Sequence, residues 1–223
     1  MTITRPFLAA TLASLLAACA SGPPVPDWKM NAQSAIERFE AAYLAGRTLV
    51  EQTEFQRARS QVAGTGKVEL IARVELLRCA TRVASLAFAP CTGFEALRED
   101  AGDADRAYAR YLAGTAQPSD AALLPASQRA VAAATSDTQA ASAAAAIKEP
   151  LGKLVAAGVL LRAGRASPEL LDMAVTTASD QGWRRPLLAW LGVQRLRAEQ
   201  AGDAPEAQRI ARRMALVGEP PAP

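Results

Sequence analysis

Residues 67–87, KVELIARVELLRCATRVASLA, repeat apolar side chains every three or four positions. Lys67, Glu75, Arg78, Arg82 and Ser85 share one strip of a helix, while Leu70, Val74, Leu77, Ala84 and Phe88 share another. A half-buried strand needs alternation with a period of two, so this stretch buries its apolar stripe only as a helix. The same spacing recurs over 31–45 at Ala32, Ala35, Ile36, Phe39, Ala42 and Tyr43, before Gly46 ends the run. No alternating run competes with it. Alanine, the best helix former and a poor strand former, is the commonest residue. The chain is therefore expected to be all-α, built of antiparallel helix pairs.

The remaining elements follow from local signals. A second helix is expected over 48–63, up to Gly64-Thr65-Gly66. Thr92-Gly93-Phe94-Glu95 has the form of a capping box and should open a helix that stops near Gly102-Asp103. Another should cover 104–113. Between 115 and 150 bulky apolar residues thin out and Ala, Ser and Thr replace them. This segment reads as slender helices or a looser linker, with helices favoured because alanine outnumbers the breakers. Residues 150–163 are helical by spacing, and Ser167-Pro168-Glu169 supplies a cap and a first-turn proline for the next helix. Residues 186–200 and 204–217 form a final pair around Gly202-Asp203. The helical domain is thus bounded at 31–217, with 218–223 as a disordered tail. Glu69 and Arg73, four apart, are expected to pair.

AGDADRAYARYLAG from Ala101 and AGDAPEAQRIARRMA from Ala201 share a glycine followed by mostly small residues at Ala104, Ala107 and Tyr111, and at Ala204, Ala207 and Ala211. That pattern resembles the second half of a tetratricopeptide repeat, in which small residues let paired helices approach closely. The resemblance implies a solenoid of helix pairs; the alternative is an irregular helical bundle.

The inventory for chemistry is thin. Histidine is absent, which removes the usual general base and the commonest metal ligand. No serine has a histidine partner, no S-x-x-K spacing occurs, and no phosphate-binding glycine loop is present. Glu95, Glu99, Asp100 and Asp103 cluster before a turn, where acidic residues cap helices or face water. A non-catalytic protein with no cofactor is expected. The net charge of +3 is too small and too dispersed for nucleic acid.

The N-terminus carries Arg5, a short apolar run from Phe7 to Ala18, and Leu16-Ala17-Ala18-Cys19. The run is shorter than the roughly 20 residues that span a bilayer. With its basic start and small-residue exit, it reads as a signal peptide over residues 1–18. The final four residues resemble the lipobox of bacterial lipoproteins. The resemblance implies that Cys19 becomes the first mature residue and carries a diacylglycerol. The chain would then be held at a membrane, with 19–30, including SGPPVP, as its tether. Ala20 in place of Asp implies the outer membrane, facing the periplasm.

In an exported chain the two remaining cysteines, Cys79 and Cys91, are candidates for a disulfide of structural purpose, with buried free thiols as the alternative. Trp183, Arg184, Arg185 and Trp190 are the candidate partner-binding residues, since Trp and Arg are enriched at interface hot spots, although core packing for Trp190 and a helix-boundary contact for Trp183 are the favoured readings. Two functions follow as expectations. One is an adaptor that binds another envelope protein. The other is a carrier that holds a lipid or small apolar ligand between helices.

Overall fold

The computed structural model describes residues 24–218. Its helices are α1 (Asp27–Leu44), α2 (Thr48–Ala63), α3 (Val68–Ala84), α4 (Thr92–Glu95), α5 (Asp103–Leu112), a 3-10 helix (Pro118–Leu123), α6 (Ala126–Ala132), α7 (Asp137–Ala146), α8 (Pro150–Arg162), α9 (Pro168–Asp180), α10 (Arg184–Gln200) and α11 (Ala204–Gly218). No strand occurs among the described residues. The fold is all-α. The signal segment, the lipobox with Cys19 and residues 219–223 lie outside the described residues. Helix α1 opens at Asp27, inside the 19–30 stretch expected as a tether, and places an acid at the positive end of the helix. Gly218 closes α11 rather than beginning a tail.

Helix α3 is the centre of the bundle and packs against α1, α2, α5 and α8. It stops at Ala84, short of the position its periodicity suggests. Leu86 adopts a left-handed φ of 60°. The Leu86 and Ala87 amides then donate back to the Val83 and Arg82 carbonyls at 3.0 and 2.9 Å, the pattern that ends many helices on glycine. Across the α3–α8 crossing Gly158 is essential to the fit, since a Cβ there would fall on the Val83 backbone carbonyl. The stretch from 115 to 150 is helical, and Ala140 and Ala144 are fully buried. The looser alternative does not apply.

A linear solenoid joins each helix pair only to its neighbours. Here α3 meets α8, and α1 meets α10, which makes an irregular bundle. The two AGD segments are not structural equivalents either. Gly102 enters α5 with φ −68°, whereas Gly202 turns between α10 and α11 with φ 74°. Thr92 does not cap as expected. Cys91 holds the N-cap position of α4 and no side chain caps that helix. Ser167, in contrast, accepts from the Leu170 amide at 3.2 Å and starts α9.

Candidate functional site

The four residues proposed for a partner surface are largely consumed inside the molecule. Trp190 has 0 % of its surface exposed, and its indole N–H donates to the Ala84 carbonyl at 3.0 Å. It therefore seals the end of α3 and offers nothing to a partner. Arg184 donates to the Val217 and Gly218 carbonyls, both at 3.0 Å, at the C-terminus of α11. Arg185 donates to the Tyr43 carbonyl and the Thr48 hydroxyl, both at 2.8 Å, and stacks over the ring of Tyr43 at 4.2 Å from its centroid. Trp183 is half-buried at the N-cap of α10. This constellation ties α10 to α1, α3 and α11.

Cys79 and Cys91 are joined in a disulfide, with Cα atoms 5.9 Å apart. It fastens the segment leading into α4 against α3. The acidic cluster near residue 100 stays at the surface, where Glu95 pairs with Arg98 and Asp103 with Arg106. Glu69 does not pair with Arg73. Arg73 instead reaches Asp105 on α5 at 3.5 Å, because α5 packs beside that face of α3.

That contact borders a cleft of about 390 Å³ between α3, α5 and the 3-10 helix. Leu76 and Leu77 come from α3, Ala104 and Tyr108 from α5, and Leu123, Leu124 and Pro125 form the roof. Helical spacing puts Arg73, Leu76 and Leu77 on adjoining turns, and Ala104 and Tyr108 one turn apart on the facing helix. The roof is held by charge. Arg110 of α5 grips Asp120 of the 3-10 helix through Nη2, and through Nε at 2.9 Å. The Gln117 amide adds a bond to Asp120 at 2.8 Å. Arg110 first, then that amide, hold the Asp120 carboxyl down at about 2.

Behind the cleft Tyr108 stacks on Tyr111 with ring centroids 6.2 Å apart. Tyr111 donates to Gln128 at 2.7 Å, and Gln128 donates to the Gly152 carbonyl at 3.0 Å. Burial pushes the Tyr108 hydroxyl well above its ordinary range, reinforced by the negative charges of Glu40 and Glu149. Glu40 on α1 is itself raised to about 7, mainly by burial, then by Glu149 and Glu37. Glu149 caps α8 by accepting from the Leu151 and Gly152 amides. Of these groups Tyr108 lines the cleft, together with Arg73 and Asp105, which pair with each other at 3.5 Å. Among the described residues no three His, Cys, Asp or Glu side chains are grouped to hold a metal.

Sequence reasoning missed the roof and its clamp. Of the 25 basic residues only Lys29, Lys67, Lys148 and Lys153 are lysine. Such a preference for the planar fork of arginine is a signal for buried ion pairs. Glu51, Glu54, Glu75, Asp105 and Asp120 are indeed all buried and all paired with arginine.

No protein-family model matches the chain, and no curated protein or solved structure matches it either.

Proposed function

We propose that this chain is a non-catalytic binding protein, tethered to the outer membrane through Cys19 and facing the periplasm, that holds a small apolar ligand in the α3–α5 cleft. One observation carries the reading: an apolar cleft of about 390 Å³ with an ion-paired roof. Ligand sites are typically mostly apolar hollows of about 300–1,000 Å³ with a few polar groups for orientation. Arg73 and Asp105 at the rim would supply those groups. The carrier reading gains over the adaptor because the Trp/Arg surface that would dock a protein is spent on internal contacts. The adaptor keeps one supporting observation, the exposed Leu123 at the edge of the roof, where an apolar side chain of a partner would also fit.

The test uses the protein with Cys19→Ser, which cannot be lipidated, and the apolar dye N-phenyl-1-naphthylamine. Saturable fluorescence gain, displaced by a medium-chain fatty acid, is expected. Ala104 is exposed at the cleft wall, so Ala104→Trp should fill the cleft without harming the fold. It should weaken dye binding at least about tenfold, a loss of about 1.4 kcal/mol. Dye binding that Ala104→Trp leaves unchanged would remove the cleft as the site. Absence of dye binding, together with an envelope protein crosslinked in cells at stoichiometric yield and lost in Ala104→Trp, would transfer the site to the adaptor reading.

A further inference from the structure

A second hollow, of about 280 Å³, has the opposite character. It lies between α2 and α3 and is closed at one end by residues 91–93. Three guanidinium groups line it: Arg59 from α2, and Arg78 and Arg82 one turn apart on α3. Two carboxylates answer them. Arg59 donates through Nε to Glu75 at 2.9 Å, which leaves both of its terminal nitrogens free of that bond. Arg78 lies over the Phe55 ring at 4.0 Å and donates to buried Glu51 through Nε and Nη2, at 2.6 and 3.2 Å. Its Nη1 is left over. Arg82 is half-buried and its side chain makes no hydrogen bond or ion pair among the described residues.

A guanidinium partly withdrawn from water and left without an acceptor is costly unless something fills the place. Among the described residues every buried carboxylate has an arginine, but Arg82 has no carboxylate. One positive charge in the hollow is therefore unmatched. The free donors also come from two helices rather than from one planar fork, and Thr92 lines the closing end. Donors from several directions suit the tetrahedral oxygens of phosphate better than a flat carboxylate.

We propose that the hollow is a phosphate site, in which Arg82 receives the oxyanion together with the spare nitrogens of Arg59 and Arg78. The group is either free phosphate or the phosphate of a lipid headgroup, which share this chemistry. The disulfide has a role here. Cys79 and Cys91 both line the hollow, so the bridge holds the closing wall in place. This site is separate from the apolar cleft and does not depend on it.

The experiment is calorimetric titration of the protein carrying Cys19→Ser with inorganic phosphate, against chloride of equal ionic strength. One saturable site is expected for phosphate and none for chloride. Arg82→Gln should weaken it about tenfold, the scale of a lost hydrogen bond to a charged group. Arg82→Lys should recover part of the loss. Arg212, an exposed arginine on α11, is the charge-matched control, and Arg212→Gln should leave the titration unchanged. In a second arm the same proteins are sedimented with phosphatidylglycerol vesicles. Arg82-dependent sedimentation that free phosphate competes away assigns the headgroup, and calorimetric binding without sedimentation assigns the free ion. The proposal falls if neither arm depends on Arg82, or if Arg212→Gln weakens binding as much as Arg82→Gln does.

Discussion

Replacing Glu40 with glutamine should stabilise this protein above about pH 4.5, and most at neutral and alkaline pH. Glu40 is a half-buried carboxyl on α1, and burial comes first among the causes that raise it from 4.5 to about 7, followed by the charges of Glu149 and Glu37. No cation figures among those causes. In the unfolded chain the same group ionises at its ordinary value, so between 4.5 and 7 the folded state holds the extra proton. Stability contributed by that proton is complete below 4.5 and is lost as pH rises through 7. At about 1.4 kcal/mol per unit of pKa, ionised Glu40 costs the fold about 3 kcal/mol at pH 8. Glutamine keeps the shape and removes the charge. The variant should therefore melt about 6–12 °C above the parent at pH 8, taking about 2–4 °C per kcal/mol for a chain of this size. At pH 4.5 the two should melt together. Thermal denaturation from pH 4 to 8.5, followed by far-ultraviolet dichroism, measures the difference directly. A variant that is equal to or less stable than the parent at pH 8 would refute the reasoning, because Glu40 would then be making a favourable contact as an anion.

Two further substitutions test the packing and the roof. Gly158→Ala should destabilise, since its methyl would meet the Val83 backbone and lie 3.0 Å from Val83 Cγ1. Overpacking of about 1–3 kcal/mol outweighs a helix-propensity gain of about 1 kcal/mol, so a melting temperature above the parent's would show that α3 and α8 separate freely. Asp120→Asn removes the clamp on the roof. Because Arg110 and the Gln117 amide depress Asp120 from 3.8 to about 2, its contribution is complete above 3.8 and is lost as pH falls through 2. The variant should be the less stable at pH 7, with the gap closing toward pH 2, and a gap constant across that range would contradict the assignment.

What the sequence shows and hides about this fold divides by range. The α3 stripe, the Ser167 cap and the glycine stops are local, set within one or two turns, and all are readable from spacing. The ion pairs are not. Arg78 meets Glu51 across 27 residues and Arg59 meets Glu75 across 16, so charges that look solvated along one helix face are buried once a second helix covers them. Trp190 illustrates the same limit. Its helical position suits the core, but its capping of Ala84 joins residues 106 apart, and that bond helps α3 end on Leu86 instead of running on. The two hollows proposed as sites each have one wall that is not an α-helical face: the 3-10 roof at Leu123–Pro125 shapes the apolar cleft, and Cys91 at the entry to α4 closes the arginine hollow. Helical periodicity is silent at those joints. The parts of this chain that are easiest to read therefore build its frame, and its candidate binding chemistry lies where the pattern is interrupted.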